Sequence, residues 1–245
     1  MNGAYAREQR QFDPLLVGAC LGLGCLGTIM VGSSSIALAD RNTGEPLYYL
    51  FQHLGALGIG TAGAIVAATV PMSAWYRANW MLLLAALGLL VAVLLPSIGQ
   101  TAGGSTRWLE VGPIRVQASE PARLFLLMYF ASYAVRQHRD LSASFLGFLK
   151  PMLIVALASV LLLAEPDYGA VVVLTATSLG MLFAAGARLR DFCVAAAAAG
   201  LALASLALSQ AYRVERIMTF RNPWDDPYDT GFQLIQSLIA IGRGD

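Results

Sequence analysis

Arg107, Arg115 and Arg123 stand in one polar stretch between apolar ones, interleaved with Glu110 and Glu120. A guanidinium keeps its proton at any physiological pH, and its planar fork grips oxyanions such as phosphate through paired N–H donors. Two readings therefore stand side by side. The arginines either hold an anionic ligand, or they are interfacial anchors that snorkel or pair with Glu110 and Glu120. Ser119-Glu120-Pro121 reads as a helix start with Ser119 as N-cap, and Arg123, one turn on, is a partner for Glu120. Asp167, with Pro166 before it and Gly169 shortly after, either caps a helix or supplies a polar ligand, to a divalent cation or to an arginine among others. Trp108 and Trp224 offer flat rings, although aromatic residues favour interfaces in any membrane protein. Gln233 and Gln236, three apart, share one face if their segment is helical, and there they would offer hydrogen bonds in a polar groove. Asp225, Asp226 and Asp229 sit in a turn-rich segment with Pro227, where acids are more often solvated than metal-bound. His53 and His138 are isolated and have no metal-ligand spacing, so no metal site is assigned.

These residues lie in the short polar gaps of a very apolar chain. Of its 245 residues 57% are hydrophobic and 13% charged, and the mean hydropathy is +0.63. One soluble domain does not bury that much apolar surface, so the solvent is lipid. A net charge of +1, with 15 Arg and a single Lys scattered along the chain, gives no basic field for nucleic acid. A membrane-crossing helix needs about 20 mostly apolar residues, because its backbone must be paired internally. Seven stretches qualify: Leu15 to Leu38, Leu50 to Val70, Trp80 to Ile98, Pro121 to Val135, Phe145 to Ala164, Gly169 to Gly186 and Phe192 to Leu208. The expected fold is all-α, a multi-pass transmembrane helical bundle forming a single domain over residues 1–245. Arg7 and Arg10, Arg77, Arg136 with Arg139 and Lys150, and Arg188 with Arg190 mark alternate connections, which places the N-terminus in the cytoplasm. The opposite, outer side then receives the loop 99–119, the 165–167 turn and the tail 209–245. The first apolar stretch reads as an anchor rather than a cleaved leader, because Glu8 and Asp13 interrupt the charged segment before it. Cys20, Cys25 and Cys193 read as small buried side chains, and the alanines of the seventh stretch read as a tight packing surface.

The run Arg107-Trp108-Leu-Glu110-Val-Gly112-Pro113-Ile-Arg115-Val-Gln117-Ala-Ser119-Glu120-Pro-Ala-Arg123 resembles the signature of the SEDS family, the group of FtsW, RodA and SpoVE. Three further segments agree in order and spacing. They are Met30-Val-Gly-Ser33-Ser34-Ser35 at the expected end of the first helix, Glu165-Pro166-Asp167-Tyr168-Gly169, and Phe220-Arg-Asn-Pro223-Trp224-Asp225-Asp226-Pro227 leading to Gly231-Phe-Gln233-Leu-Ile-Gln236-Ser237 and Gly242-Arg243-Gly244. Pro-Trp and Gln-Ser-Leu-Ile-Ala are more like the division branch, FtsW, than the elongation branch, RodA. The sequence departs from the family pattern at Ala118, Pro121, Arg123 and Glu165, which stand where the family has Pro, an aliphatic residue or Phe, Lys and Gln.

The resemblance implies a peptidoglycan glycosyltransferase that polymerises lipid II into glycan strands at the division septum, in the bacterial inner membrane. In that chemistry the 4-hydroxyl of an incoming disaccharide attacks a sugar activated by undecaprenyl pyrophosphate. A carboxylate takes the proton and a cation stabilises the leaving pyrophosphate. Arg107, Trp108, Gln117, Ser119, Glu120, Arg123, Asp167, Gln233 and Gln236 are the implied substrate-binding residues, with the tryptophans as stacking surfaces for sugar rings. The resemblance also implies ten helices, with the Asp used in catalysis in an outer loop beyond residue 245, so no catalytic residue is assigned in this chain. A divalent cation, Mg or Mn, is an open expectation. The implied partners are a class B penicillin-binding transpeptidase and other membrane proteins of the divisome. Two alternatives are a lipid II flippase, against which stands the lack of mid-membrane charges, and a non-catalytic scaffold if the chain ends at Asp245.

Overall fold

A computed structural model describes residues 13–96, 98–102, 105–111, 114–228 and 231–243. Arg7, Glu8, Arg10, Gly112, Pro113, Asp229, Gly244 and Asp245, all used above, lie outside them. Among the described residues are eleven α-helices and three short strands, and the chain forms two compact units, residues 1–74 and 75–245.

The first unit holds α1 (Pro14–Thr43) and α2 (Tyr48–Thr69), which pack together. The apolar run alone does not set the limits of α1. Asp13 Oδ1 accepts from the Leu15 amide at 2.9 Å and Pro14 pre-sets the first turn. At the other end Gly44, at φ +74°, turns back its amide to the Asp40 carbonyl, 3.0 Å away. The helix thus runs past Ser33-Ser34-Ser35, where it was expected to end. Ser33 and Ser34 both donate to the Met30 carbonyl within it. Ala39 is the one buried side chain on α1, and α2 has none. These helices turn apolar side chains outward, as a lipid solvent requires.

The second unit begins at the end of the short helix α3 (Met72–Arg77). Its core is built by α4 (Asn79–Leu94), α5 (Ser119–Arg136), α7 (Phe145–Ala164) and α8 (Tyr168–Ala184). Leu83, Ala86 and Leu90 of α4 meet Ala122, Leu126, Tyr129 and Phe130 of α5. Val155, Ala158 and Leu162 of α7 and Ala170, Val171 and Leu174 of α8 complete the core. Each set recurs every three or four residues, so each helix keeps one stripe inside and leaves the rest apolar and outward. Each of the seven expected stretches holds a helix, although the third, expected over Trp80 to Ile98, is helical only to Leu94. The helices α1, α2, α7 and α9 (Leu189–Leu208) are long and apolar enough to cross a membrane, while α4 and α8 are apolar but shorter, at 16 and 17 residues.

Two sequence readings are corrected here. Cys20, Cys25 and Cys193 are exposed rather than buried, on the apolar surfaces of α1 and α9. The alanine-rich α9 is largely outward-facing, and of its alanines Ala195, Ala196 and Ala199, together with Phe192, pack against the cluster around Phe148 and Leu182. The loop 99–119 has order of its own. It forms an antiparallel sheet of β1 (Gly99–Ala102), β2 (Ser105–Val111) and β3 (Ile114–Gln117) in that order, with β1 and β2 against the end of α4.

At the opposite end of this unit, α6 (His138–Ala143) leads into α7 through Ser144, whose hydroxyl caps the Leu146 amide. Arg188 donates to the carbonyls of Ser142 and Ala143, and His138 Nδ1 lies 2.9 Å from the Ala185 carbonyl. The Tyr133 hydroxyl donates to the Gly147 carbonyl at 2.6 Å. A Cβ on Gly147 would fall onto the Asp140 carbonyl and 2.9 Å from the Leu141 amide nitrogen. Gly147→Ala is therefore expected to destabilise the protein by about 2 kcal/mol through backbone overpacking. Melting of the purified variant in detergent measures it, and an unchanged transition would show that the α6–α7 corner yields freely.

Candidate functional site

The sheet, the start of α5 and the start of α8 converge on Asp167. On β2, Trp108 pairs in register with Gln117 of β3, and the Ala118 amide donates to the Arg107 carbonyl at 3.1 Å. This pairing fixes Arg107 and Gln117 side by side just before α5 begins at Ser119. Asp167 lies on a distant part of the chain, in the turn between α7 and α8, with its amide on the Leu162 carbonyl at 2.9 Å.

Asp167 is 6% exposed and its two oxygens accept from every side. Oδ1 takes the Ala170 amide at 3.2 Å, which caps α8, and faces Arg107 NH1 at 3.5 Å. Oδ2 takes Gln117 Nε2 at 3.1 Å and the Ser119 hydroxyl at 3.3 Å. Gln117 Nε2 also reaches Ser119 Oγ at 2.9 Å. A buried carboxylate is tolerated only with this kind of pairing. The cap and the arginine partner, set out above as alternative roles for Asp167, are thus both realised. Ser119 is corrected: its hydroxyl caps nothing, because the N-cap position of α5 is Ala118 and Ser119 turns to Asp167 instead.

Glu165 belongs to the same turn and was not among the sequence candidates. It is fully buried, and burial above all, with the charge of Asp167 second, pushes its carboxyl up to about 8 against a smaller opposing pull from Arg107. The signal in the sequence was an acid between the apolar end of α7 and a proline, at a place where the family pattern has Gln.

The other candidates sit apart from this cluster. Arg123 pairs with Glu120 Oε2 at 2.6 Å within the first turn of α5. Arg115 pairs with Glu110 at 3.0 Å directly across β2 and β3, on an exposed surface. That pair is a cross-strand contact in water, so Arg115→Gln is expected to shift stability by less than about 0.5 kcal/mol. A larger loss on melting would give Arg115 a role beyond the pair. Trp108 is half-buried on β2 and Trp224 is exposed in the 3₁₀ turn Pro223–Asp225. The segment of Gln233 and Gln236 is helical, α11 (Phe232–Arg243), after α10 (Ala211–Arg221). Both glutamines are exposed, however, and α11 packs on the Pro223–Asp225 turn, so the structure does not bring them to Asp167. Among the described residues no three His, Cys, Asp or Glu side chains group to hold a metal ion. Asp225 accepts from Asn222 Nδ2 at 2.7 Å.

Comparison with known proteins agrees with this architecture. Residues 14–245 match the Cell cycle protein family of FtsW, RodA and SpoVE. A relative from Hahella chejuensis, described as "Probable peptidoglycan glycosyltransferase FtsW", is 45% identical over 233 residues, 95% of this chain and 59% of that protein. One of the same description from Nitrosococcus halophilus is 46% identical over 235 residues, 96% of this chain and 60% of that protein. The chain thus spans about 60% of the length of these relatives. Among solved structures, the rod shape determining protein RodA of Thermus thermophilus aligns with a TM-score of 0.65 at 25% identity, covering 80% of this chain and 60% of that one. A chain from a peptidoglycan synthase complex that coordinates polymerization and crosslinking also reaches 0.65, at 28% identity, covering 88% of this chain and 64% of that one. The chain is a multi-pass helical membrane protein, and it belongs to the FtsW, RodA and SpoVE family of cell cycle proteins.

Proposed function

We propose that the chain is the N-terminal part of a peptidoglycan glycosyltransferase that polymerises lipid II during division, and that the Asp167 cluster holds the lipid-linked pyrophosphate end of its substrate. The observation that carries this reading is Arg107, held against a buried carboxylate by a sheet and two helix starts while its side chain stays one-third exposed. In the reaction the 4-hydroxyl oxygen of the acceptor disaccharide bonds to the anomeric carbon of the donor. The bond from that carbon to pyrophosphate oxygen breaks, and its electron pair leaves with undecaprenyl pyrophosphate. An oriented guanidinium stabilises the charge that grows on the leaving oxygen. Arg123, a turn into α5, is a second cation on the same side of the helix bundle's second unit. The hydroxyl proton passes to a carboxylate, which the family resemblance places beyond residue 245. Asp167 is poorly suited to that task because Arg107, Gln117, Ser119 and the Ala170 amide already occupy its oxygens. Those same donors fit a divalent cation badly, since they are not electron-pair ligands as arranged, and no step is assigned to a metal.

The same reading places the protein in the inner membrane at the septum, N-terminus inside, beside a class B penicillin-binding transpeptidase. The homologue seen within a peptidoglycan synthase complex supports such a partner. Purified full-length protein with its transpeptidase, given lipid II in detergent, is expected to make glycan strands. Product formed without two compartments separates a polymerase from a flippase. No product, where a known polymerase succeeds in parallel, would end the proposal.

A further inference from the structure

Arg213 of α10 lies half-buried where the outer ends of α8, α9 and α10 meet, and among the described residues it forms no salt bridge with a carboxylate. Its partners are of another kind. NH1 donates to the Leu206 carbonyl in the last turn of α9 at 2.7 Å, at the negative end of that helix. Its guanidinium carbon stands 4.9 Å from the centre of the Tyr168 ring and 5.4 Å from that of Tyr212, and Nε donates to the Tyr212 hydroxyl at 2.9 Å. Tyr168 is in turn fixed, because its hydroxyl donates to the Leu203 carbonyl at 2.7 Å, one turn earlier on α9. Tyr168 is also the first residue of α8 and the immediate neighbour of Asp167. A cation over a ring and on a helix C-terminus is a directional contact, and it needs the planar shape of arginine.

We infer that Arg213 is a positioning residue for Asp167: by clamping the Tyr168 ring against the end of α9, it fixes the first turn of α8 and with it the carboxylate that orders Arg107, Gln117 and Ser119. This inference rests on the proposed role of the Asp167 cluster only for its consequence in substrate binding. The geometry itself has a separate readout, the Ala170 amide, which is protected by Asp167 Oδ1 alone. Hydrogen exchange of the purified protein in detergent is expected to speed up at Ala170 by about tenfold in Arg213→Gln, while Leu174, one turn deeper in α8, is unchanged. Arg213→Lys, which keeps the charge and loses the planar fork, reads the same peptide if the Gln variant fails to accumulate. Unchanged exchange at Ala170 in both variants overturns the inference. Lipid II binding then forms a double-mutant cycle with Asp167→Asn. Each single variant is expected to weaken binding about tenfold and the pair no further, whereas losses that multiply to about a hundredfold overturn the clamp. If Ala170 exchange rises but Asp167→Asn binds lipid II normally, the clamp stands and the proposed function of the cluster fails.

Discussion

Asp167→Ala is expected to destabilise the protein by about 3 kcal/mol and to weaken lipid II binding at least tenfold. The stability figure has named parts. Loss of the cap on α8 costs about 1 kcal/mol, and Gln117 and Ser119, both turned inward, each lose an acceptor worth about 1 kcal/mol. Arg107 loses its carboxylate, but its side chain is one-third exposed and water takes up part of the difference, so it adds little to that sum. The binding loss has another cause, because a guanidinium without its anchor must be ordered by the ligand itself. Asp167→Asn keeps one carbonyl oxygen and is expected to cost about a third as much in stability. Thermal melting in detergent and equilibrium binding of lipid II measure the two effects. The decisive comparison is Ser119→Ala made in the native and in the Asp167→Ala background. If Ser119 costs the same in both, Asp167 is not the hub that joins these elements.

The membrane-spanning part of this fold was legible because hydropathy reports the solvent directly. Phe145 to Ala164 was expected residue for residue, since Ser144 before it and Glu165 after it are polar punctuation. Where polar residues continue a helix, the apolar run underestimates it. Asp40, Arg41 and Asn42 extend α1 by backbone hydrogen bonding that lipid does not govern, whereas α5 begins at Ser119, where Ser119-Glu120-Pro121 was read as a helix start. The sheet was missed although its alternation was present. Trp108 and Glu110 stand on one side of β2, while Ile114-Arg115-Val116-Gln117 pairs with it in register. Long polar loops in membrane proteins invite a reading by composition, and period two is weak over four residues.

The site was legible as residues and not as an assembly. Arg107, Gln117, Ser119 and Asp167 were each singled out, yet Ser119 and Asp167 are 48 positions apart and nothing local announces their contact. Ser119 followed by Glu120 and Pro121 carries a strong local capping signal, and tertiary structure overrode it because the hydroxyl, itself buried, turns to the buried carboxylate of Asp167, which needs its donors. Gln233 and Gln236 stand apart from the Asp167 cluster for a different reason. Their helical spacing was read correctly, but amphipathic order does not say what the polar side faces.

Glu165→Gln is expected to remove a pH dependence that the native protein carries between about pH 5 and 8. Glu165 lies in the turn after α7, outside the spanning segments, and its burial raises the carboxyl to about 8 from an ordinary 4.5. Between those values the folded protein holds one proton more than the unfolded chain, so stability falls as pH rises. It is fully present below about 4.5 and lost above about 8. At about 1.4 kcal/mol per pH unit the whole window is worth on the order of 5 kcal/mol, of which roughly 3 falls between pH 6 and pH 8. Glutamine is neutral at every pH and close in shape, so the variant should melt at nearly constant temperature across pH 6 to 9 while the native protein loses several degrees. Parallel melting curves would mean that Glu165 is already ionised below pH 6. The same ionisation bears on ligand binding. A second negative charge beside Asp167 competes for Arg107, so affinity for a pyrophosphate should drop as the native protein passes pH 8 and hold steady in the glutamine variant. With its carboxyl raised to about 8, Glu165 carries its proton at neutral pH, so an acid stands in the neutral form where the family pattern places an amide.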